Sequence, residues 1–198
     1  YVIGATKRTD NFRPDPKVKT GSASLLDYRS SGYDRGHLAP AGDMKYSETA
    51  MSESFYLSNM SPQVAGFNRG IWKNLESLIR NWVQKDKELQ VVTGGVLNGS
   101  FKTIGLNKVS VPDYFYKVIL DYQEPDIKGI GFVIPNKKTK LGLSNYAMSI
   151  DEVEKITNID FFESLPDEIE NEIESNLNFK KFTFSKKGNQ SYSKSNRS

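Results

Sequence analysis

Apolar residues gather along this chain in one helical stripe and several short runs. From Asn68 onward, Ile71, Leu75, Leu78, Ile79, Trp82 and Val83 fall at offsets of 0, 4, 7, 8, 11 and 12, while Lys73, Arg80 and Lys85 lie elsewhere. That spacing predicts a helix with one buried face. Leu89 to Thr93 (LQVVT) reads as a buried strand stopped by Gly94 and Gly95, and Tyr114 to Tyr122 and Gly129 to Ile134 read as two more, the second ended by Pro135 and Asn136. Ser54 to Ser58 (SFYLS) is a short strand candidate ended by Asn59 to Pro62. Loops are expected over 10–22, where Pro14, Pro16 and Gly21 break regular structure, and over Gly36 to Asp43 around Pro40. Ser149 with Glu152 forms a capping box for a short helix, and Pro166 marks the start of a last one. The expected fold class is α+β, with a mostly antiparallel central sheet flanked by helices.

At 198 residues the chain suits one domain, expected over 1–185, followed by a basic, Ser-rich tail over 186–198 in which mobility is expected. Hydrophobic residues make up 37%, including ten Tyr, eleven Phe and two Trp, which is enough for a core and argues against wholesale disorder. The absence of cysteine excludes disulfides and thiolate metal sites. No run approaches the roughly 18 to 20 apolar residues of a membrane span. The first residue is Tyr1 rather than Met, so an upstream segment, cleaved or omitted, is expected.

The net charge of +3 hints only weakly at a polyanionic partner. Its distribution says more. Asp151, Glu152, Glu154, Asp160, Glu163, Asp167, Glu168, Glu170, Glu172 and Glu174 are accompanied by the single base Lys155, whereas Lys180, Lys181, Lys186, Lys187, Lys194 and Arg197 follow without an acid. A polyanion avoids the first segment and is drawn to the last, although a solvated acidic helix followed by a soluble tail accounts for both.

A single histidine narrows the chemistry further. With one His and no Cys a zinc site is disfavoured, and a mechanism that uses two histidines as acid and base is impossible. No GxSxG elbow, GxxxxGK[ST] loop or GxGxxG fingerprint occurs. His37 lies in Asp34-Arg35-Gly36-His37-Leu38-Ala39-Pro40. A lone histidine is ordinarily a surface or core residue. Here Arg35 is a fixed cation two residues from a group that titrates near 6.5 in isolation, and Gly36 permits a sharp turn between them. Such a pair can hold an anionic phosphate while the imidazole faces an attacking water.

A second constellation runs Phe55-Tyr56-Leu57-Ser58-Asn59-Met60-Ser61-Pro62-Gln63, then Asn68-Arg69-Gly70-Ile71-Trp72 and Leu75-Glu76. Asn68 opens the helix, where an N-cap is its ordinary role, yet an amide oxygen is also a neutral, hard ligand of the kind Mg²⁺ accepts. Glu76, eight residues on, projects from nearly the same face of a regular helix; its ordinary role is a surface pair with Lys73 or Arg80.

The ordered blocks DRGHLAP, YLSNMSPQ and NRGIWKNLE resemble the DNA/RNA non-specific endonuclease family of the ββα-metal superfamily, whose members include secreted bacterial nucleases and mitochondrial endonuclease G. The likeness continues through Val111-Pro112-Asp113-Tyr114-Phe115-Tyr116-Lys117-Val118 to Ser149-Ile150-Asp151-Glu152-Val153-Glu154-Lys155 and covers most of residues 8–170. It implies a ββα-metal active-site motif and Mg²⁺-dependent, sequence-nonspecific cleavage of DNA and RNA to 5′-phosphate and 3′-hydroxyl ends, with Mn²⁺ as a substitute ion. By position it makes His37 the general base and Asn68 the direct protein ligand of the ion. Glu76 then holds a water around that ion, and Arg35 contacts the phosphate or the transition state. A further N-terminal arginine shares that role; Arg8 matches best, with Arg13 competing. Asn59 becomes an orienting group behind the site or a structural turn residue, and Asp34 a scaffold.

Phosphate and metal contacts carry no base information, so nonspecific cutting follows. Two other readings compete. An HNH-type nuclease draws further histidines into its metal site, and none is available. A noncatalytic nucleic-acid binder would be expected to have lost His37, Asn68 or Glu76. The resemblance leaves open an inhibitor protein and a homodimer, and family habit places the protein outside the cell or in the periplasm.

Overall fold

The computed structural model describes residues 4–99, 101–125, 127–177 and 179–184. The predicted basic tail over 186–198 lies outside the described residues. In chain order the helices are α1 (Leu25–Tyr28), α2 (Glu48–Glu53), α3 (Lys73–Asp86), α4 (Ile150–Thr157) and α5 (Asp167–Ser175). The strands are β1 (Asp34–His37), β2 (Met60–Gln63), β3 (Gln90–Gly95), β4 (Lys102–Ile104), β5 (Val109–Val111), β6 (Tyr114–Asp121), β7 (Lys128–Pro135) and β8 (Ala147–Met148). The main sheet has the order β3-β6-β7-β8 with every pairing antiparallel, and β1-β2 and β4-β5 form separate two-stranded ribbons. This is the expected α+β class.

The sheet is covered on both faces, and the alternation of side chains along a strand decides which residue serves which face. On β6, Phe115 and Ile119 join a core built on Ile71, Trp72, Leu75, Leu78, Ile79 and Trp82 of the helical region. Tyr116, Val118 and Leu120 turn the other way, to Ile150 and Val153 of α4 and Ile173 of α5. On β7, a side chain at Gly131 would run into Val153, so glycine there lets α4 lie directly on the sheet. Double coverage explains why both strands read as largely apolar runs. The capping box at Ser149 and Glu152 forms as expected, and Pro166 is the N-cap of α5.

Three local expectations are corrected. The strand predicted over Ser54 to Ser58 is instead the end of α2, a turn and a 3₁₀ turn (Leu57–Asn59); the strand follows it at Met60–Gln63. Phe55 and Leu57 are buried in two separate small cores, so their alternation reflects burial rather than an extended chain. Pro62, read as a strand terminator, pairs opposite Arg35 in a two-stranded ribbon, where a residue whose N–H points outward loses no ladder bond. Gly36 and His37 belong to β1 rather than to a loop, because the pairing partner lies 23 to 29 residues away, as Asp34↔Gln63 and His37↔Met60 show, beyond any local signal.

No helix among the described residues is long and apolar enough to cross a membrane.

Candidate active site

The ribbon β1-β2 and the helical run that begins at Phe67 form a ββα unit. Gly36, between Arg35 and His37, does not make a turn. It sits in the extended ribbon, and a side chain there would collide with that of Gln63, so glycine is needed for a close approach rather than for a bend.

His37 is half-buried, with Phe12 and Phe55 edge-on to its ring at centroid distances of 5.9 and 4.9 Å. Its Nε2 is buried and has no hydrogen-bond partner among the described residues. Such an orphaned ring nitrogen costs about 1–3 kcal/mol and calls for an explanation. Burial, and secondarily the Arg8 cation, hold the imidazole well below its usual range, at about 4, against a small opposing effect of Asp10. The ring is therefore neutral at pH 7 and able to accept a proton. Burial and Arg8, rather than the neighbouring Arg35, supply this displacement.

Arg8, Arg35 and Asn68 line one cleft together with Phe12, Tyr33 and Asp34. Arg8 lies over the Phe55 ring, 4.7 Å from its centroid, and donates to Asp10. Arg35 lies over Phe12 at 4.2 Å. Arg13 turns elsewhere, donating to the Asn11 and Ser52 carbonyls and to Ser52 Oγ while stacking on Tyr56. Of the two competing N-terminal arginines, Arg8 is the one in the cleft.

Asn68 does not act as an N-cap. Its Nδ2 donates to Asp34 Oδ2 at 2.9 Å, while Arg69 clasps the same carboxylate through Nε and Nη2 at 2.8 and 2.7 Å. Arg69 and Asn68, after the penalty of burial, hold the Asp34 carboxyl below its usual range. An ionised carboxylate only accepts, so it selects the amide nitrogen and leaves Oδ1 as the outward lone-pair group. That oxygen is the donor type a hard divalent cation takes.

Glu76 is not related to Asn68 by regular helical spacing. The chain winds as a π-type turn over Phe67–Trp72 and breaks at Gly70 (φ −105°, ψ −110°) before α3 begins. Glu76 consequently lines a second cleft, with Leu38, Asp43, Asn59, Thr93 and Lys117. The predicted surface pair with Lys73 or Arg80 is replaced by a salt bridge of Arg80 to Asp43 at 2.8 Å. Burial raises the Glu76 carboxyl, offset in part by Lys117, Arg80 and Arg8. Asn59 is a structural staple: it accepts from Ala39 N–H and donates to the carbonyls of Ala39 and Ser54, each at 2.9 Å. The ribbon thus leads from the Arg35 cleft to the Glu76 cleft, and the Arg8 charge acts on both His37 and Glu76.

Sequence reasoning passed over Lys117 as anything but part of a block. It also read the acidic segment as solvated. In the fold, carboxylate oxygens of Asp151, Glu154 and Glu174 come within 4.8 Å of one another and could hold a divalent cation. Glu174 is only 6% exposed, and burial with repulsion from Glu154, Glu170, Asp151 and Asp160 pushes its carboxyl up to about 8. Glu154 and Glu174 belong to α4 and α5, which pack on the sheet face opposite α3, so this cluster is separate from the ββα unit.

Comparisons with known proteins agree on the family. The family model for DNA/RNA non-specific endonucleases matches residues 2–168. Nuclease C1 of Cunninghamella echinulata var. echinulata is 40% identical over 177 residues, covering 82% of this chain and 70% of its own. The mitochondrial nuclease EXOG of Mus musculus is 36% identical over 182 residues, covering 83% of this chain and 50% of its own. The chain thus spans about half the length of several relatives. A solved EndoG/EndoGI complex, described as showing EndoG inhibition, aligns with a TM-score of 0.69 at 34% identity, over 73% of this chain and 65% of that one. The expected secreted or periplasmic location is overturned, because most of these relatives are mitochondrial nucleases, including those of mouse, zebrafish, frog, human and two yeasts. A ββα unit that carries DRGH on its first strand, joined to this match over most of the sequence, settles the assignment: the chain belongs to the DNA/RNA non-specific endonuclease family.

Proposed function

We propose that this protein is a Mg²⁺-dependent endonuclease that cuts DNA and RNA without sequence preference, with Mn²⁺ able to replace Mg²⁺. The observation that carries the reading is the His37 imidazole: neutral, with a buried and unpartnered Nε2, and set against the Arg8 cation.

The His37 imidazole takes a proton from water as that water's oxygen bonds to phosphorus. The bond from phosphorus to the 3′ oxygen breaks, the leaving oxygen is protonated from solvent, and 5′-phosphate and 3′-hydroxyl ends result. Arg8 and Arg35, in one cleft, neutralise the phosphate. A bound phosphodiester anion also offsets the Arg8 cation and makes His37 more basic. Asn68 would hold the ion through Oδ1, and Glu76 would accept hydrogen bonds from water around it. When bound, Mg²⁺ supplies charge neutralisation at phosphorus and at the leaving oxygen. None of these groups reads a base or uses a 2′-hydroxyl, which supports action on both nucleic acids.

The test is digestion of a plasmid and a short RNA with Mg²⁺, with and without EDTA, followed by mass spectrometry of the ends. Cleavage of both, stopped by EDTA and leaving 5′-phosphates, is expected. Cyclic phosphate ends, or intact DNA beside degraded RNA, overturn the mechanism.

A further inference from the structure

Lys117 stands in mid-β6, opposite Thr93 of β3, and is 1% exposed. Its neighbours along that face, Phe115 and Ile119, are core residues. An ammonium in such a place is costly unless well satisfied, and an apolar side chain of similar size would generally be at least as stable there. Packing alone does not account for a lysine here.

Its contacts do. Nζ donates to Thr93 Oγ1 at 2.8 Å and to the Leu38 carbonyl at 3.3 Å, and it lies 4.8 Å from the centroid of the Trp72 ring. Trp72 in turn donates through Nε1 to the His37 carbonyl at 3.4 Å. The Ala39 carbonyl accepts from Asn59 Nδ2 at 2.9 Å. Three consecutive carbonyls, those of His37, Leu38 and Ala39, are thus each held by one side chain. The three donors come from the helical run, the central sheet and the 3₁₀ turn before β2. Lys117 is the one that joins the ββα unit to the sheet. It also faces the Glu76 carboxyl across the second cleft, where Asp43 and Arg80 are the other charged groups bearing on it.

We infer that Lys117 is a positioning residue of the active site: its ammonium fixes the backbone that leaves His37 and so holds the imidazole in its working place against the packed pair Phe12 and Phe55. Without it, the Trp72 and Asn59 contacts and the packing of Leu38 remain, but the segment loses its hydrogen bond to the sheet. The consequence for turnover rests on the reading of His37 as the base; the consequence for the ring's placement does not.

The chain has one histidine, so its imidazole signals in NMR are unambiguous, and the two edge-on phenyl rings shift them away from those of a solvated ring. The experiment compares the full chain with Lys117→Met and Lys117→Gln, measuring those signals, the thermal midpoint, and kcat and KM on DNA. Lys117→Met is expected to stay folded while the His37 signals move toward those of a solvated ring. Its kcat is expected to fall about 10- to 100-fold, the scale of an ångström-sized misplacement, with KM unchanged within about two-fold. Lys117→Gln keeps an N–H donor and shifts both in the same direction by less. Should the methionine variant not fold, the glutamine variant decides by the same criteria. A folded variant with unchanged His37 signals and unchanged kcat overturns the inference. Displaced signals without loss of kcat leave the positioning role standing and count against His37 as the base.

Discussion

Asp34 and Asn68 meet through a single hydrogen bond of 2.9 Å in which the amide nitrogen donates and the carboxylate accepts. The bond spans the ββα unit from its first strand to its helical run, and it decides which way the amide faces. Asp34, which lines the same cleft, thereby decides which amide atom Asn68 leaves free.

This predicts that Asp34→Leu weakens Mg²⁺ binding about 10- to 100-fold, the usual scale for losing a group that orients a metal ligand. Asn68→Ala is expected to lose affinity and activity together. Isothermal titration of Mg²⁺ into each variant checks both. Unchanged affinity in Asp34→Leu would show that the amide is held by something else.

The His37 ring has a pH consequence. Its folded-state value, about 4, is depressed from 6.5, so folding favours the neutral ring; the associated stability is complete above pH 6.5 and is lost as pH falls through about 4. An NMR titration of the sole imidazole without ions is expected to show a midpoint well below 6.5. In Arg8→Gln the midpoint is expected to rise partway, since burial remains. A midpoint of 6.5 or above in the parent protein would contradict the buried, neutral ring.

Glu174 acts in the opposite sense. Its carboxyl is raised from 4.5 to about 8, so the stabilising effect of its neutral form is fully present below pH 4.5 and is lost as pH rises through about 8. Glu174→Gln is therefore expected to melt a few degrees higher than the parent at pH 9 and to match it near pH 4.5. Added Ca²⁺ or Mg²⁺ raises the parent's midpoint at pH 9 if the cluster with Asp151 and Glu154 takes a cation, and the glutamine variant is then less responsive. Equal melting of the two proteins at pH 9 would show that Glu174 is not buried as a carboxyl.

Local patterns made the body of the fold legible. The stripe from Ile71 to Val83 predicted α3, and the runs at 114–122 and 129–134 predicted the two central strands, because both faces of the sheet are covered and the strands are largely apolar. The ribbon beneath the site was not legible. Asp34–His37 is a strand without a single apolar side chain, and it is extended only because Met60–Gln63 pairs with it. The family blocks located His37, Asn68 and Glu76, yet the helical geometry assumed between the last two fails at Gly70, whose backbone departs from any helix. Asp34 was legible only as a scaffold, without Asn68 as its partner, and Lys117 as a buried cation was invisible. A carboxylate or a lysine in a string of letters reads as solvent-facing, and only the three-dimensional neighbours say otherwise.

Replacing His37 with alanine tests its role as the base most directly. His37→Ala removes a half-buried ring that makes no hydrogen bond through Nε2, so folding, Mg²⁺ affinity and DNA binding are expected to survive. Turnover on plasmid DNA at saturating Mg²⁺ is expected to fall by about 10² to 10⁴. A well-folded His37→Ala protein that keeps more than about a tenth of the parent's turnover would contradict the account.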